Sequence, residues 1–187
     1  MQNFDSPQPG LRPAPQGGAG QLGSGPALSH EISFRLNGVR RSARVTSGMS
    51  ALQMLREVLG MTGTKYGCGE GECGACTILS DDISVNACLM FALDCDGRRL
   101  TTVEGLAEDR RGAALRESFA EHGAVQCGFC TPGMVVQAAH LLAGTPRPDA
   151  ATAKRAIEGN LCRCTGYQKI VEAIVDAGEK LSQGAAR

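Results

Sequence analysis

The stretch KYGCGEGECGAC, residues 65–76, constrains this chain more than any other. It packs three cysteines, four glycines and two glutamates into twelve positions and offers almost nothing that a core could bury. A loop of that composition has to be held by something other than apolar packing. The whole chain carries nine cysteines in 187 residues, and an odd count argues against complete pairing. The formal net charge is zero, which gives no reason to expect nucleic acid or an anionic membrane as partner. No apolar run approaches the ~18–20 residues needed to span a bilayer. Residues 1–29 are rich in Gly, Pro, Gln, Ala and Ser and lack the basic start and apolar stretch of a secretory signal. They are expected to form a disordered arm, and the protein is expected to be cytoplasmic. Arg40-Arg41 precedes a polar segment and reads as two exposed strand residues. In a reducing compartment a disulfide framework is not favoured, so clustered thiols hold a metal or do redox chemistry.

The residue patterns predict an α+β chain. Glu31–Asn37 and Val39–Val45 alternate around Asn37-Gly38, the strongest short hairpin signal. Ile32, Phe34 and Leu36 share one face of the first run, and Val39, Ala43 and Val45 are the apolar members of the second. Ser50-Ala-Leu-Gln53 is a capping-box pattern. The helix it opens aligns Ala51, Met54, Leu55 and Val58, with Leu52 and Leu59 beside them, and Gly60 stops it. Thr77–Leu79 and Ile83–Asn86 read as strands around Asp81-Asp82, and Leu89–Leu93 and Leu100–Val103 as strands around Asp96-Gly97. Beyond about Glu104 the pattern is helical. Leu115 and Phe119 lie on one helix, which Gly123 could end. Thr131 is the expected N-cap of the next, with Pro132 at its first position and Val135, Ala138, Ala139 and Leu142 as its stripe up to Gly144. Pro148-Asp149 starts a short helix ending at Gly159. Thr165-Gly-Tyr-Gln168 reads as a second capping box, opening a helix that carries Tyr167, Ile170, Val171, Ile174, Val175 and Leu181. Four helices in this span suggest a small bundle. The expected division is an arm at 1–29, a first domain at 30–105 and a helical domain at 106–187. Domains this small often need a staple such as a metal site.

The cysteines fall into two sets. Cys68, Cys73, Cys76 and Cys88 have the spacing C-x4-C-x2-C-x11-C, which is the plant-type [2Fe–2S] pattern. Backbone N–H groups turned toward the sulfurs would offset the charge of four thiolates. Wrapping the loop that way needs φ values open mainly to glycine, which accounts for Gly67, Gly69, Gly71 and Gly74. Glu70 and Glu72 are expected to face solvent. Cys127, Cys130, Cys162 and Cys164 form the second set, C-x2-C and then C-x-C. By itself Cys127-Gly-Phe-Cys130 could be a thioredoxin-like redox pair or half of a structural zinc site with Cys162 and Cys164. No thioredoxin-like βαβ pattern surrounds it, and the C-x-C is tighter than zinc pairs usually are.

The segments KYGCGEGECGACTIL, AVQCGFCTPGM and EGNLCRCTGYQKIV resemble the two signatures of the iron–sulfur subunit of the molybdenum hydroxylases, the xanthine dehydrogenase and aldehyde oxidase family. The resemblance runs from about Glu31 to about Gly178 and includes all eight ligand positions. It implies an N-terminal β-grasp ferredoxin domain holding an outer cluster and a C-terminal four-helix bundle holding an inner one, so two [2Fe–2S] clusters. It implies a large partner subunit that binds molybdopterin, a medium partner subunit that binds FAD, and a dimer of heterotrimers. Electrons would pass from molybdenum through the inner and outer clusters to FAD. Gln126 and Cys164 would also contact the pterin; otherwise Gln126 is a structural amide satisfying backbone groups within the chain. The signatures look rather like those of bacterial xanthine dehydrogenases and imply a purine or N-heterocycle hydroxylase, with aldehyde, carbon monoxide and nicotinate enzymes, whose signatures are nearly the same, as alternatives. A free-standing ferredoxin and a zinc-stabilised interaction protein are rivals of other classes.

Cys127 and Cys130 sit just before the Thr131 helix, and Cys164 just before the Tyr167 helix, where the helix dipoles favour thiolates. Cys95 lies outside both sets and reads as a free structural thiol. His30, His122 and His140 have no ligand spacing: His122 is expected at a helix end and His140 on a helix surface. Arg98-Arg99 and Arg110-Arg111 read as solvated turns, and Tyr66 and Tyr167 as packing residues near the clusters. The sequence shows no nucleophile–base pair, phosphate loop or acid dyad, so substrate chemistry is expected on another chain.

Overall fold

The computed structural model describes residues 28–184. The arm expected over residues 1–29 lies outside the described residues apart from Leu28 and Ser29, and Ser29 already belongs to the first strand. That strand, β1 (Ser29–Leu36), pairs with β2 (Val39–Thr46) across Asn37-Gly38. Both turn residues take positive φ, 52° and 82°, which matches the right-handed twist of the flanking strands. Ile32, Phe34 and Leu36 are buried, as are Ala43 and Val45. Val39 is instead 54% exposed, because the tip of this edge hairpin, with Arg41 on the same face, projects beyond the core.

The Ser50 capping box forms: its hydroxyl accepts from the Gln53 N–H, and the Gln53 side chain accepts from the Ser50 N–H. The helix α1 (Ala51–Gln53) then widens into a π turn over Met54–Val58. A wider turn rotates less per residue. Leu52 and Leu55 therefore stay inside while Val58, expected on the buried face, is 45% exposed. The strands β3 (Thr77–Ser80) and β4 (Ile83–Asn86) meet at Asp81-Asp82, both left-handed, and β5 (Arg99–Thr101) completes a mixed sheet in the order β2-β1-β5-β3-β4. Arg98 and Arg99 form ion pairs with Asp81 and Asp82 at this turn. The strand expected at Leu89–Leu93 does not form. Its backbone pairs with the start of α1 instead: Ala51 donates to Met90 and Ala92 donates to Met49, each at 2.8 Å. The chain then turns through Leu93–Cys95, and β5 pairs in parallel with β1 rather than folding back across Asp96-Gly97.

Helices α2 (Arg110–Glu121), α3 (Thr131–Gly144), α4 (Ala150–Ala156) and α5 (Gln168–Gly184) follow. α2 packs on α3 and α5, and α4 bridges α3 and α5. Asp109 caps α2 through the N–H groups of Arg111 and Gly112. Three expected boundaries move. Cys130, not Thr131, is the N-cap of α3, and it makes no side-chain cap. α4 ends at Ala156, short of Gly159, because the next residues are drawn onto the first cysteine loop. The box at Thr165–Gln168 does not form: Gly166 and Tyr167 both turn left-handed, so α5 starts at Gln168. His122 ends α2 and lies 3.5 Å from Asp176 of α5, and His140 on α3 bonds the Asp82 carbonyl.

Two cores meet at β3, which is buried on both faces. Ile78 belongs to the core under the sheet, with Phe34, Leu52 and Leu100. The next residue, Leu79, points the other way, as strand alternation requires, into the helical core around Phe119, Met134 and Ile174. Among the described residues no helix is long and apolar enough to cross a membrane.

Candidate metal centres

The fold sorts the eight expected ligands into two sites. In the first, residues 65–76 wrap between α1 and β3, and Cys88 arrives from the turn after β4. Gly69, Gly71 and Gly74 take positive φ, as expected. Gly67 does not, and a different constraint acts on it: a Cβ there would lie 2.7 Å from the Cys73 sulfur, so the backbone must pass that close. The Cys68 N–H donates to the Cys73 sulfur at 3.3 Å, and the Glu70 N–H donates to the Cys68 sulfur at 3.5 Å. Amides of Glu70 and Cys73 pull the Cys68 thiol down to about 7. Burial, with Cys88 beside it, pushes the Cys76 thiol up to about 12. Glu70 and Glu72 are exposed.

In the second site, Cys127 and Cys130 precede α3 and Cys162 and Cys164 precede α5. The sulfurs of Cys127 and Cys164 are 3.5 Å apart, and both residues are exposed. Cys130 and Cys162 lie deeper. Burial next to Cys162 pushes the Cys130 thiol up to about 12. Burial also opposes ionisation of Cys162, but bonds from the Thr165 hydroxyl and amide outweigh it and hold this thiol below its ordinary value. Tyr167, expected only to pack, accepts the Cys162 N–H on its hydroxyl at 2.8 Å. The left-handed turn at Gly166-Tyr167 aims both groups back at Cys162.

These donors fit metal clusters. They are soft thiolates approached by backbone amides, in loops too tight for side chains at key glycines. Among the described residues no three His, Cys, Asp or Glu side chains converge as a single-ion site would need. A two-iron cluster divides its four cysteines between two metals and does not need that convergence. Cys95 stays apart, fully buried, with its thiol pushed up to about 12 by burial. Gln126 is exposed and has no side-chain hydrogen bond among the described residues. The intrachain amide role is therefore not seen. Tyr66 is also exposed.

Sequence reasoning missed the residues that join the two sites. Asn160 and Leu161 bond to Gly74 and Cys73. The Phe129 ring lies next to Gly67. A buried asparagine two places before a ligand was the available signal, but burial is not visible in one sequence.

Two families match the chain. One, described as a "2Fe-2S iron-sulfur cluster binding domain", covers residues 34–107, and the other, described as a "[2Fe-2S] binding domain", covers residues 102–175. The nicotine 6-hydroxylase small subunit of Paenarthrobacter nicotinovorans is 47% identical over 147 residues, 79% of this chain and 88% of that protein. The xanthine dehydrogenase iron-sulfur-binding subunit of Escherichia coli O157:H7 is 40% identical over 148 residues, 78% of this chain and 92% of that protein. The crystal structure of quinoline 2-oxidoreductase from Pseudomonas putida 86 superimposes with a TM-score of 0.79 at 44% identity, over 83% of this chain and 98% of the matched one.

Proposed function

The chain belongs to the iron–sulfur small subunits of the molybdenum hydroxylases, the xanthine dehydrogenase family, and from that membership we propose how its own residues serve the complex. It is the electron-transfer subunit of a multi-subunit oxidoreductase, with two [2Fe–2S] clusters of its own and molybdopterin and FAD on partner subunits. When bound, the clusters supply one-electron redox chemistry between those two cofactors. Cys68, Cys73, Cys76 and Cys88 hold the outer cluster, and Cys127, Cys130, Cys162 and Cys164 hold the inner one. The carrying observation is that the fold gathers eight cysteines into two sets of four, in loops docked on each other, and leaves the ninth in a core.

The four helices α2–α5 form the bundle of the inner domain, behind a β-grasp outer domain. The inner site is open at Cys127 and Cys164, and Val125, Phe129 and Leu161 expose large apolar surface around it. A lone carrier has no use for such a rim, whereas a large subunit would cover it. Gln126 lies on this rim with an amide that bonds nothing among the described residues, which supports a hydrogen bond from Gln126 to the pterin, with Cys164 beside it. We assign the holoenzyme to N-heterocycle hydroxylation, because nicotine, xanthine and quinoline in the names of the three relatives above are nitrogen heterocycles, with 44% identity to the quinoline enzyme against 34% to matched aldehyde oxidoreductases. A dimer of heterotrimers in the cytoplasm is the assembly proposed.

Iron and sulfide analysis of the purified complex should find two [2Fe–2S] clusters per chain, and reduction should give two EPR signals. Stoichiometric zinc, or one signal at full iron loading, would refute the ligand assignment. Gln126→Ala should keep both signals and slow reduction of the inner cluster by substrate roughly two- to tenfold, the worth of one lost hydrogen bond. Exchange with FAD should be unchanged; equal slowing at both ends would place Gln126 elsewhere.

A further inference from the structure

The two cysteine loops touch through a junction that the ligand pattern does not explain. Asn160, 4% exposed, precedes Cys162 by two residues. Its side-chain amide donates to the Gly74 carbonyl at 2.9 Å and to the Thr77 hydroxyl at 3.1 Å. That hydroxyl spends its own proton on the same Gly74 carbonyl, at 2.7 Å. Asn160 therefore faces two acceptors, and only a double donor satisfies both. The neighbouring Leu161 N–H donates to the Cys73 carbonyl at 2.9 Å. Nothing separates the backbones here. A Cβ on Gly74 would lie 2.3 Å from the Gly159 carbonyl oxygen, and one on Gly133 would lie 2.3 Å from the Gly74 oxygen.

Cys73 and Cys162 belong to different sites. Between their sulfurs the chain offers a path of covalent bonds broken by one hydrogen bond, Leu161 N–H to Cys73 C=O. We propose that Asn160 is the positioning residue for the electron step between the two clusters. Its amide clamps the Gly74 peptide so that this hydrogen bond closes and the two loops keep one fixed separation. The step moves one electron from the reduced to the oxidised cluster, with no bond made or broken and no proton released. The proposal rests on the assignment of a [2Fe–2S] cluster to each loop.

Asn160→Asp, nearly isosteric, replaces a double donor with a carboxylate that cannot donate to the Gly74 carbonyl and draws the Thr77 proton away from it, and Asn160→Ala removes the clamp outright. Both are to be compared with the parent in the assembled complex. Iron content and the two separate EPR signals come first, since their absence from the parent would overturn the cluster assignment and not the clamp. With both clusters present, each variant should keep the g values of each signal and lose most of the spin–spin splitting between them. Electron arrival at the outer cluster should slow by roughly tenfold or more, the factor that about 1.4 kcal/mol of lost alignment represents. Full iron with parental splitting and parental rate in both variants would overturn the proposal. Amide hydrogen exchange in the parent decides the matter if the variants fail to assemble. The Leu161 N–H should exchange as slowly as the amides of β3, and rapid exchange there would equally overturn the clamp.

Discussion

At the scale of single residues, neighbours rather than burial set Cys95 apart: Cys76 is buried as well, but it has Cys88 and Cys73 beside it. Cys95 is enclosed by the sheet core, its sulfur 3.7 Å from the Phe91 carbonyl, and no other cysteine sulfur is recorded as its partner among the described residues. Cys95→Ser should leave iron content and both EPR signals intact at a modest cost in stability. Cys73→Ser should remove the outer cluster, because its sulfur receives the Cys68 amide and is wrapped by Gly67. Iron loss in the Cys95 variant, or retention in the Cys73 variant, would contradict the assignment. Gly74 shows how close the tolerances are. It combines a left-handed φ of 64° with direct contact to Gly159 and Asn160, so a methyl group has neither the conformation nor the room.

At the scale of elements, the start of α5 is the most informative departure from sequence expectation. The pattern at Thr165–Gln168 matches a capping box, yet Gly166 and Tyr167 turn left-handed. A non-glycine residue in that region costs roughly 1–2 kcal/mol. The turn is held by what it delivers: the Tyr167 hydroxyl accepts the Cys162 N–H, and the Thr165 hydroxyl meets the Cys162 sulfur. Tyr167→Phe leaves the Cys162 N–H without that acceptor, at about 1–3 kcal/mol. Calorimetry should show Tm lower by roughly 2–12 °C for a chain of this size. Iron should also leave the inner site faster under a chelator, while the outer site is spared. Unchanged Tm and equal release from both sites would show that the hydroxyl is idle. The π turn at Met54–Val58 makes the same point more mildly, since a regular helix would have buried Val58.

At the scale of the whole molecule, the halves are joined by β3 and by the two cysteine loops themselves. Leu79 carries the strand into the helical core, and Asn160 and Leu161 carry the second cysteine loop onto the first. Ligation free energy is folding free energy in such small metal domains. Removing iron should therefore lower stability and loosen the contact between halves at once. Calorimetry of the complete chain should pass from one cooperative transition with iron to two broader ones without it, the first assigned to the sheet half. A single, equally steep transition after complete removal would show that the apolar cores alone hold the halves together.

The local rules were legible in the sequence wherever a short stretch settles its own conformation. Asn37-Gly38, the Ser50 box and the stripe Val135, Ala138, Ala139 and Leu142 all stand as the pattern predicts. Cysteine spacing grouped the thiols in the same way that the fold brings them near each other, because the reach of a short loop limits which thiols can meet. What the sequence could not settle were contacts between residues far apart in the chain. Leu89–Leu93 reads as a strand but spends its backbone on α1, and Thr165 reads as a cap but spends its hydroxyl on Cys162. Nothing in the sequence around Asn160 marks its role. Only the packing of the helical half on the sheet half buries it, 86 residues away from the carbonyl it holds. A hydrogen bond between such distant groups depends on the placement of both cores, and no periodicity or spacing in the chain encodes that placement locally.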